Sequence, residues 1–340
     1  MTLRVALDGL GGISRQIVVA ASSGGFSDLF EIVRIDDSAG VDAVQRRLER
    51  DSSYGRLPHK IERGASDVLR FGDQQIQVGS GNVSDWEAEG VDIVVVDGRG
   101  ADAEARITNH RAGSKKVVVA GGQAPGGKTI VFGLNESSYH PDNDSVVGTG
   151  SAVLNAVALP AAVIQQHFAI ARGAFTVIHP IVAGQTVQDR AGVPNLASRA
   201  ASHLIPDIAD QTHLELGTVE PILGSKFFGS VVHAPVTPVG WITLSAETER
   251  RLELTDAVDA FNDAAGSDQF AGLLGLTSEA LVSGDLSGDS HSVTLISSEI
   301  GMVGRAFLSV RGWFDAEWAM ACRTTDLLAL ICEAGVPGTA

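Results

Sequence analysis

The chain has 340 residues, of which 44% are hydrophobic and 19% are charged, and its formal net charge is −16. This length is sufficient for two domains with substantial cores, and the composition excludes an intrinsically disordered chain. The excess of negative charge argues against nonspecific binding to nucleic acid or to an anionic membrane, because both would repel the protein at long range.

The N-terminal residues read as a strand and carry no secretory signal, and no apolar run approaches the ~18 residues that a membrane helix needs. The two cysteines, Cys322 and Cys332, lie in a segment with helical character. Small buried side chains are the simpler interpretation of both, in preference to a disulfide framework. We therefore expect a soluble cytoplasmic protein with no membrane segment.

The first half of the chain begins with an apolar run at 3–7, a glycine turn at 8–14 and a helical pattern at 15–22. Strand, glycine turn and helix in this order are the context of the dinucleotide-binding fingerprint. We assign cofactor binding in this turn to four residues: Gly9, Gly11, Gly12 and Ile13. The third fingerprint glycine is replaced by Ser14, from which we expect a small shift between helix and strand and an intact site.

A second apolar strand closes on two acidic residues, of which Asp36 is our predicted ribose acceptor. A carboxylate there favours NAD over NADP. Further runs at 91–98 and 116–122 are almost continuously apolar and end in glycine, as buried parallel strands do. Gly98 is therefore a further predicted cofactor contact. Residues 1–150 are predicted to form a doubly wound α/β domain of Rossmann type. The alternative to cofactor binding is a glycine turn of this type that no longer holds a cofactor.

The second half, residues 151–318, opens with a small-residue turn and an apolar helix and continues with strands rich in Val, Ile and Phe. Strands that are paired and then flanked by helices predict an α+β domain with an antiparallel sheet. The segment at 319–340 is predicted to be a C-terminal helix that returns to the first domain.

Several motifs follow one another along the chain, at 8–15, 51–55, 185–187, 274–277, 283–292 and 313–318, together with Asn155 and His179. In this order they resemble the glyceraldehyde-3-phosphate dehydrogenase family over nearly the whole chain. The resemblance implies an NAD-binding homotetramer in which a cysteine thiolate attacks an aldehyde, a histidine assists, and hydride passes to nicotinamide.

The chain departs from the family pattern at the positions that carry this chemistry. Ala152 stands at the position of the cysteine, so the thiol reaction is not expected. The family's anion-binding and nicotinamide-fixing positions are also changed; they correspond to Val153, Leu154, Val182, 208–210, His233 and Ala316. The loss of several charge-assisted contacts, each worth ~1.5–3 kcal/mol, removes recognition of a phosphorylated triose.

Two functions remain open. The first is an oxidoreductase of altered chemistry, in which His179 is the acid or base for a small non-phosphorylated carbonyl or alcohol, and Asn155 or Ser151 donates a hydrogen bond. The second is a non-catalytic relative that serves as a scaffold, a cofactor sensor or an oligomer subunit. A weaker third reading makes Ser151 a nucleophile activated by His179.

A group of polar residues near the end of the chain, Asp285, Asp289 and His291, has the residue types of a metal site. These residues lie in a turn between strands that is structural in the family which the chain resembles. We therefore expect them to stabilise the turn and predict no metal site.

Overall fold

A computed structural model describes residues 2–23, 26, 28–57, 60–71, 74–80, 86–99, 102–111, 113–181, 185, 203–207, 210–236 and 238–336. The chain divides into two compact units. The first contains Met1–Ile130, Ser137–Gly150 and Met320–Ala340, and the second contains Val131–Glu136 and Ser151–Ala319. Among the described residues, no helix combines the length and the apolar character needed to cross a bilayer.

The first unit is an α/β structure. Its strands in the described residues are β1 (Leu3–Asp8), β2 (Phe30–Asp36), β3 (Arg50–Asp51), β4 (Gly55–Arg56), β5 (Ile61–Arg63), β6 (Val68–Phe71), β7 (Gln74–Gly79), β8 (Ile93–Asp97), β9 (Lys116–Ala120), β10 (Lys128–Thr129) and β11 (Val146–Gly148). Its helices are α1 (Gly12–Ser23), α2 (Val41–Glu49) and α3 (Ala103–Arg111).

In the described part of this unit, nine strands form one sheet in the order β10-β11-β9-β8-β1-β2-β7-β6-β5. The strands from β10 to β7 pair in parallel, and β5 and β6 add an antiparallel edge. The prediction of a doubly wound α/β domain is confirmed. Because β2 lies on one side of β1 and β8 on the other, the strand order reverses at β1. The carboxyl ends of β1 and β8 therefore flank the crevice in which such sheets bind ligands.

The second unit is built on a mainly antiparallel sheet, as predicted. Its strands in the described residues are β12 (Ile170–Pro180), β13 (Ile205–Pro206), β14 (Phe227–Ala234), β15 (Val239–Thr248), β16 (Leu274–Thr277), β17 (Val293–Ile296), β18 (Gly301–Val303) and β19 (Phe307–Asp315). Its helices are α4 (Ala152–Phe168), α5 (Thr212–Val219) and α6 (Leu254–Ala265). Short 3-10 helices occur at Glu136–Ser138, Pro221–Leu223, Ser283–Leu286 and Ser297–Glu299.

The described strands of this sheet run in the order β13-β14-β12-β15-β19-β17-β16, and β18 pairs with β19. The pairs β12–β14 and β16–β17 are parallel, and the other pairs are antiparallel. The last helix, α7 (Trp318–Ala334), begins in the second unit, and its residues from Met320 onward belong to the first.

Side chains alternate between the two faces of the second sheet. On β12, Phe175 and Val177 are buried, whereas Thr176 and Ile178 are exposed. Helix α4 packs against β12, β15 and β19, and it covers the buried face. The period of two along a strand places His179 on the same face as Phe175 and Val177. The fold thus directs this imidazole toward the helix-covered side of the sheet.

Candidate functional site

The turn between β1 and α1 has the geometry of a dinucleotide-binding turn. Gly9 has a φ of +86°, which residues with a side chain rarely adopt. A Cβ atom on Gly11 would lie 2.6 Å from Asp97 Oδ2, so a larger residue there would displace this carboxylate. The first hydrogen bond of α1 runs from Arg15 N to Gly11 O at 3.0 Å, and the N–H groups of Gly12 and Ile13 precede it. They form the N-terminus of a helix, which favours anions.

Two residues of this turn point inward. Ile13 is fully buried, and its Cδ1 atom lies 2.3 Å from the position that a Cβ on Gly121 would occupy. Only the backbone of Ile13 is therefore suited to a cofactor contact. Ser14, at the third glycine position, is also fully buried, and among the described residues no hydrogen-bond partner reaches its Oγ. A buried hydroxyl thus stands at the third glycine position, without a hydrogen-bond partner in the part of the chain that the structure describes.

Asp37 is the acidic residue whose side chain bonds to the glycine turn, and the ribose contact assigned to its neighbour Asp36 stays a prediction. The Asp36 carboxylate is buried and pairs with Arg34 Nη2 at 3.2 Å, where it also lies against the backbone of Gly79. Asp37 Oδ2, in contrast, accepts a hydrogen bond of 3.0 Å from the N–H of Leu10 in the turn. Asp37 is therefore a second candidate for the ribose acceptor, beside the predicted Asp36.

The surroundings of Asp37 favour the ionised form of its carboxyl group. Burial opposes its ionisation, but hydrogen bonds from the N–H of Ala39, from Arg47 and from the N–H of Leu10 outweigh this effect, so the pKa of Asp37 lies below its ordinary value. Arg47 Nη2 donates to Asp37 Oδ2 at 2.5 Å. The Asp37 carboxylate is therefore ion-paired with a partly exposed arginine.

Gly98, the remaining predicted cofactor residue, follows β8 directly. A Cβ atom on Gly98 would lie 2.7 Å from Gly122 Cα and 2.7 Å from Val119 Cγ1. The close approach of two strand ends is therefore sufficient to explain this glycine, and its cofactor contact stays a prediction. The turn as a whole fits a dinucleotide, since it combines a positive-φ glycine, an open helix N-terminus and a carboxylate acceptor.

A second contact holds α1 in place behind this turn. Arg15 Nε donates to Asp51 Oδ2 at 2.6 Å, and Gln16 Nε2 donates to the same oxygen at 3.1 Å. The other oxygen, Asp51 Oδ1, accepts from the N–H groups of Ser53 and Tyr54. Two of the sequence motifs, at 8–15 and 51–55, are therefore in direct contact.

In the second unit, Ser151 and Asn155 lie together at the start of α4. Ser151 is the N-cap residue, and its Oγ accepts a hydrogen bond of 3.0 Å from the N–H of Leu154. Asn155 is buried, and its Nδ2 donates to Ser151 O at 2.9 Å. Ala152 and Val153 are the first residues of the helix, and both are buried. The polar groups of this turn thus stabilise the beginning of α4.

His179 has a defined tautomer. Its Nδ1 atom lies 2.7 Å from Pro180 O, and because a carbonyl oxygen can only accept, Nδ1 must carry the proton. In the neutral ring, Nε2 then holds the lone pair and can act as a base. The imidazole lies between two rings, with centroid distances of 4.9 Å to His233 and 5.9 Å to Phe314.

His233 is the register partner of His179 on the neighbouring parallel strand β14. Its Nδ1 faces Gln185 Nε2 at 3.3 Å, and its Nε2 faces Asp207 Oδ2 at 3.3 Å. An amide nitrogen donates and a carboxylate accepts, so Nδ1 is the acceptor and Nε2 carries the proton. Sequence reasoning identified His233 as a changed position, but it did not identify Asp207 as the residue that orients it.

Some predicted residues lie outside the described part of the chain, namely Val182, Thr186, Val187, Ile208 and Ala209. Asp210 is described, and its Oδ1 accepts from Thr212 Oγ1 at 2.7 Å, next to the start of α5. Ala316 is buried just after β19. The structure thus joins His179 to His233, and Ser151 to Asn155, as two local groups within the second unit.

Comparison with known proteins gives matches to both units. Residues 3–103 match the family model described as glyceraldehyde 3-phosphate dehydrogenase, NAD binding domain, and residues 151–316 match the one described as glyceraldehyde 3-phosphate dehydrogenase, C-terminal domain. Glyceraldehyde-3-phosphate dehydrogenase 1 of Streptomyces arenae is 31% identical over 97% of this chain and 99% of its own length. Glyceraldehyde-3-phosphate dehydrogenase of Mycobacterium leprae is 29% identical over the same shares, and that of Priestia megaterium is 28% identical over 99% and 100%.

Proposed function

The chain belongs to the glyceraldehyde-3-phosphate dehydrogenase family, and on that premise we propose that it is an NAD-dependent oxidoreductase with altered chemistry, acting on a non-phosphorylated carbonyl or alcohol. NAD is its cofactor, because the first unit matches the NAD-binding model of the family and its glycine turn fits a dinucleotide. The proposal concerns the reaction that takes place with this cofactor, and it follows from the residues of the second unit.

The observation that carries the proposal is the tautomer of His179. With Nδ1–H donating to Pro180 O, the lone pair of the neutral ring is on Nε2, and we assign to this nitrogen the exchange of a proton with a substrate. NAD, when bound, would supply the hydride acceptor for oxidation of an alcohol, and we assign the proton that this oxidation releases to His179 Nε2. This reaction forms no covalent intermediate and needs no thiol.

The residues of α4 support a reaction without a thiol. The helix begins with Ala152, which aligns with the family's cysteine in the resemblance described above, and alanine offers no lone pair. The two cysteines of the chain, Cys322 and Cys332, both lie in the part of α7 that belongs to the first unit. Burial raises the pKa of the Cys332 thiol to about 11, which disfavours the reactive thiolate.

The surroundings of His179 favour an uncharged substrate. One side of the imidazole faces the ring of Phe314, which is buried, and the other faces His233. His233 is in turn paired with the Asp207 carboxylate at 3.3 Å. A negative charge in this position opposes the binding of a phosphate group, so we propose that the substrate carries none.

A non-catalytic role is the second candidate, and one observation favours it. Ser151 Oγ accepts from Leu154 N, and Asn155 Nδ2 donates to Ser151 O, so the two residues expected to hold a substrate oxygen are engaged in capping α4. A protein that binds NAD with this arrangement and turns nothing over would act as a cofactor sensor, a scaffold or a subunit of a mixed oligomer.

The deciding experiment combines NAD binding with a substrate screen. Calorimetric titration with NAD and NADH is followed by spectrophotometric screening of small alcohols, aldehydes and ketones, with glyceraldehyde 3-phosphate as the family's reference substrate. We expect turnover of a non-phosphorylated compound, lowered by about 10²–10⁴-fold in His179→Gln. NAD binding without turnover of any compound would reject the oxidoreductase and leave the non-catalytic candidate.

We also propose that the protein assembles as a homotetramer in the cytoplasm. The face of the second sheet opposite α4 carries exposed apolar side chains, including Phe228 at 72% and Ile178 at 40% exposure. Trp241 and Trp313 pair on the same face, with ring centroids 4.5 Å apart. An exposed apolar face of this kind is typical of a subunit interface. Sedimentation velocity tests the proposal, with Phe228→Glu expected to lower the assembly state.

A further inference from the structure

The carboxyl ends of β1 and β8 each carry an aspartate, at the crevice where a doubly wound sheet binds its ligand. Asp8 is the last residue of β1, and Asp97 is the last residue of β8. The Asp97 Oδ2 atom lies 2.6 Å from the position of a Cβ on Gly11, so this carboxylate contacts the glycine turn directly. Two carboxylates beside this turn would repel the pyrophosphate of a dinucleotide.

An arginine accompanies each carboxylate. Arg106 Nε donates to Asp8 Oδ2 at 2.8 Å, and its Nη2 donates to Asp8 O at 2.5 Å. Arg99 donates to both carboxylate oxygens of Asp97, from Nε at 2.9 Å and from Nη2 at 2.8 Å. The Arg106 guanidinium also lies close to the turn, since its Nη2 is 3.8 Å from the position of a Cβ on Gly9. Two guanidinium groups therefore balance two carboxylates.

A buried tryptophan fixes the Asp8–Arg106 pair further. Trp86 Nε1, which can only donate, lies 2.8 Å from His110 Nδ1, so this nitrogen of His110 is the acceptor. His110 Nε2 then carries the proton and donates to Asp8 Oδ2 at 2.7 Å. Burial opposes the ionisation of Asp8, but hydrogen bonds from His110 and Arg106 outweigh it and hold the pKa of Asp8 below its ordinary value. Asp8 is thus an ionised carboxylate that Arg106 and His110 fix in position.

We propose that the dinucleotide crevice of this chain is charge-balanced, with Arg106 and Arg99 as positioning residues that cancel the carboxylates of Asp8 and Asp97 beside the glycine turn. The inference rests on NAD binding and is independent of the reaction proposed for His179. It assigns a role in binding to residues of α3 and of the segment after β8, none of which belongs to the glycine turn itself.

The test is a double-mutant cycle on NAD affinity, measured by calorimetry on the full chain. We expect Arg106→Ala to weaken NAD binding about tenfold or more, because it leaves the Asp8 carboxylate with the neutral His110 but without a cation to balance its charge. Asp8→Asn in the Arg106→Ala background should restore the affinity of the unmodified protein. Arg106→Lys keeps the charge and should retain part of the affinity. A parallel cycle on Asp97→Asn and Arg99→Ala remains informative if one of the Arg106 variants does not fold.

Trp86 supplies a readout that a general loss of stability does not reproduce. The protein has four tryptophans, and Trp86 alone lies in the first unit, so a variant that combines Trp241→Phe, Trp313→Phe and Trp318→Phe reports on the Trp86 indole. NAD binding should change Trp86 emission, and Asp8→Asn should abolish that change. The inference would be overturned if Arg106→Ala and Arg99→Ala left NAD affinity unaltered, or if neither Asp8→Asn nor Asp97→Asn restored the affinity lost in the arginine variants. Absence of NAD binding by the unmodified protein would also overturn it. Binding with rescue but without turnover would support it and reject only the proposed reaction.

Discussion

His179 and His233 are neighbours in register on β12 and β14, and their protons are on opposite nitrogens, Nδ1 in His179 and Nε2 in His233. Gln185 and Asp207 engage both nitrogens of His233, and we assign the base to Nε2 of His179, which holds the lone pair when Nδ1 carries the proton. The pair therefore has unequal roles, with one imidazole for proton transfer and one that packs against it.

This inequality predicts different effects of the same substitution. His179→Phe should lower kcat/KM by about 10²–10⁴-fold for any substrate that the screen identifies. His233→Phe keeps an aromatic ring against His179 and should lower kcat/KM by less than about tenfold, because it removes no proton transfer. Equal losses in the two variants would contradict the assignment of the base to His179.

Asp37 should determine the choice between NAD and NADP. Asp37→Ala removes the proposed ribose acceptor and releases Arg47, which can then bind a 2′-phosphate. We expect NAD affinity to fall about tenfold or more and the ratio of NADP to NAD affinity to rise. Isothermal titration with both dinucleotides measures this ratio. Asp36→Asn is the matched control, and if it shifts the ratio while Asp37→Ala does not, the ribose contact belongs to Asp36.

Ser151 should contribute to stability rather than to catalysis. Ser151→Ala removes the cap of α4 and is expected to lower the free energy of unfolding by about 1 kcal/mol. Ser151→Asp retains a capping oxygen and should keep the stability, although it has no hydroxyl. Urea unfolding measures the first effect, and turnover should persist in Ser151→Ala. Loss of turnover in both variants would restore the reading of Ser151 as a nucleophile.

Ser14 should be a position where a smaller side chain stabilises the protein. Its buried Oγ has no hydrogen-bond partner among the described residues, and burying an unpaired hydroxyl costs about 1–3 kcal/mol. Ser14→Ala is therefore expected to raise the thermal midpoint. Ser22→Ala, on the exposed side of α1, is the control and should have little effect. A lower midpoint in Ser14→Ala would show that the hydroxyl is hydrogen-bonded in solution.

Asp289 should contribute to stability in a pH-dependent way. Burial opposes its ionisation, but hydrogen bonds from His291 and Thr294 outweigh it and lower the pKa of Asp289 from its ordinary value of 3.8. A lowered pKa in the folded state means that the contribution is complete above pH ~4 and is lost as the pH falls through the folded value. Asp289→Asn should flatten the acid side of the curve of unfolding free energy against pH. Asp268→Asn, at an exposed position, should leave the curve unchanged.

The fold followed from local patterns, because β1, β2, β8 and β9 are apolar runs that end at glycine or acidic residues. The glycine turn was also visible, since its residues are contiguous. The pairing of Asp8 with Arg106 and His110 could not be predicted from the sequence, because these partners lie 98 and 102 residues from Asp8 and neither carries a local signal. The sequence also could not show which of Asp36 and Asp37 directs its side chain to the glycine turn. Strand alternation breaks down at the end of β2, where Ile35 and Asp36 are both buried.

The division of the chain into units has a consequence for how the protein is made. The unit that begins at the N-terminus also contains residues of α7, and Cys332 Sγ lies 3.3 Å from Leu29 O, across 303 positions of sequence. Synthesis on the ribosome proceeds from the N-terminus, so the contacts of Leu29 with α7 must wait until the residues of the other unit have been translated. The first unit is therefore completed only after the second unit has been translated, and the contact between Leu29 and Cys332 is absent during most of translation.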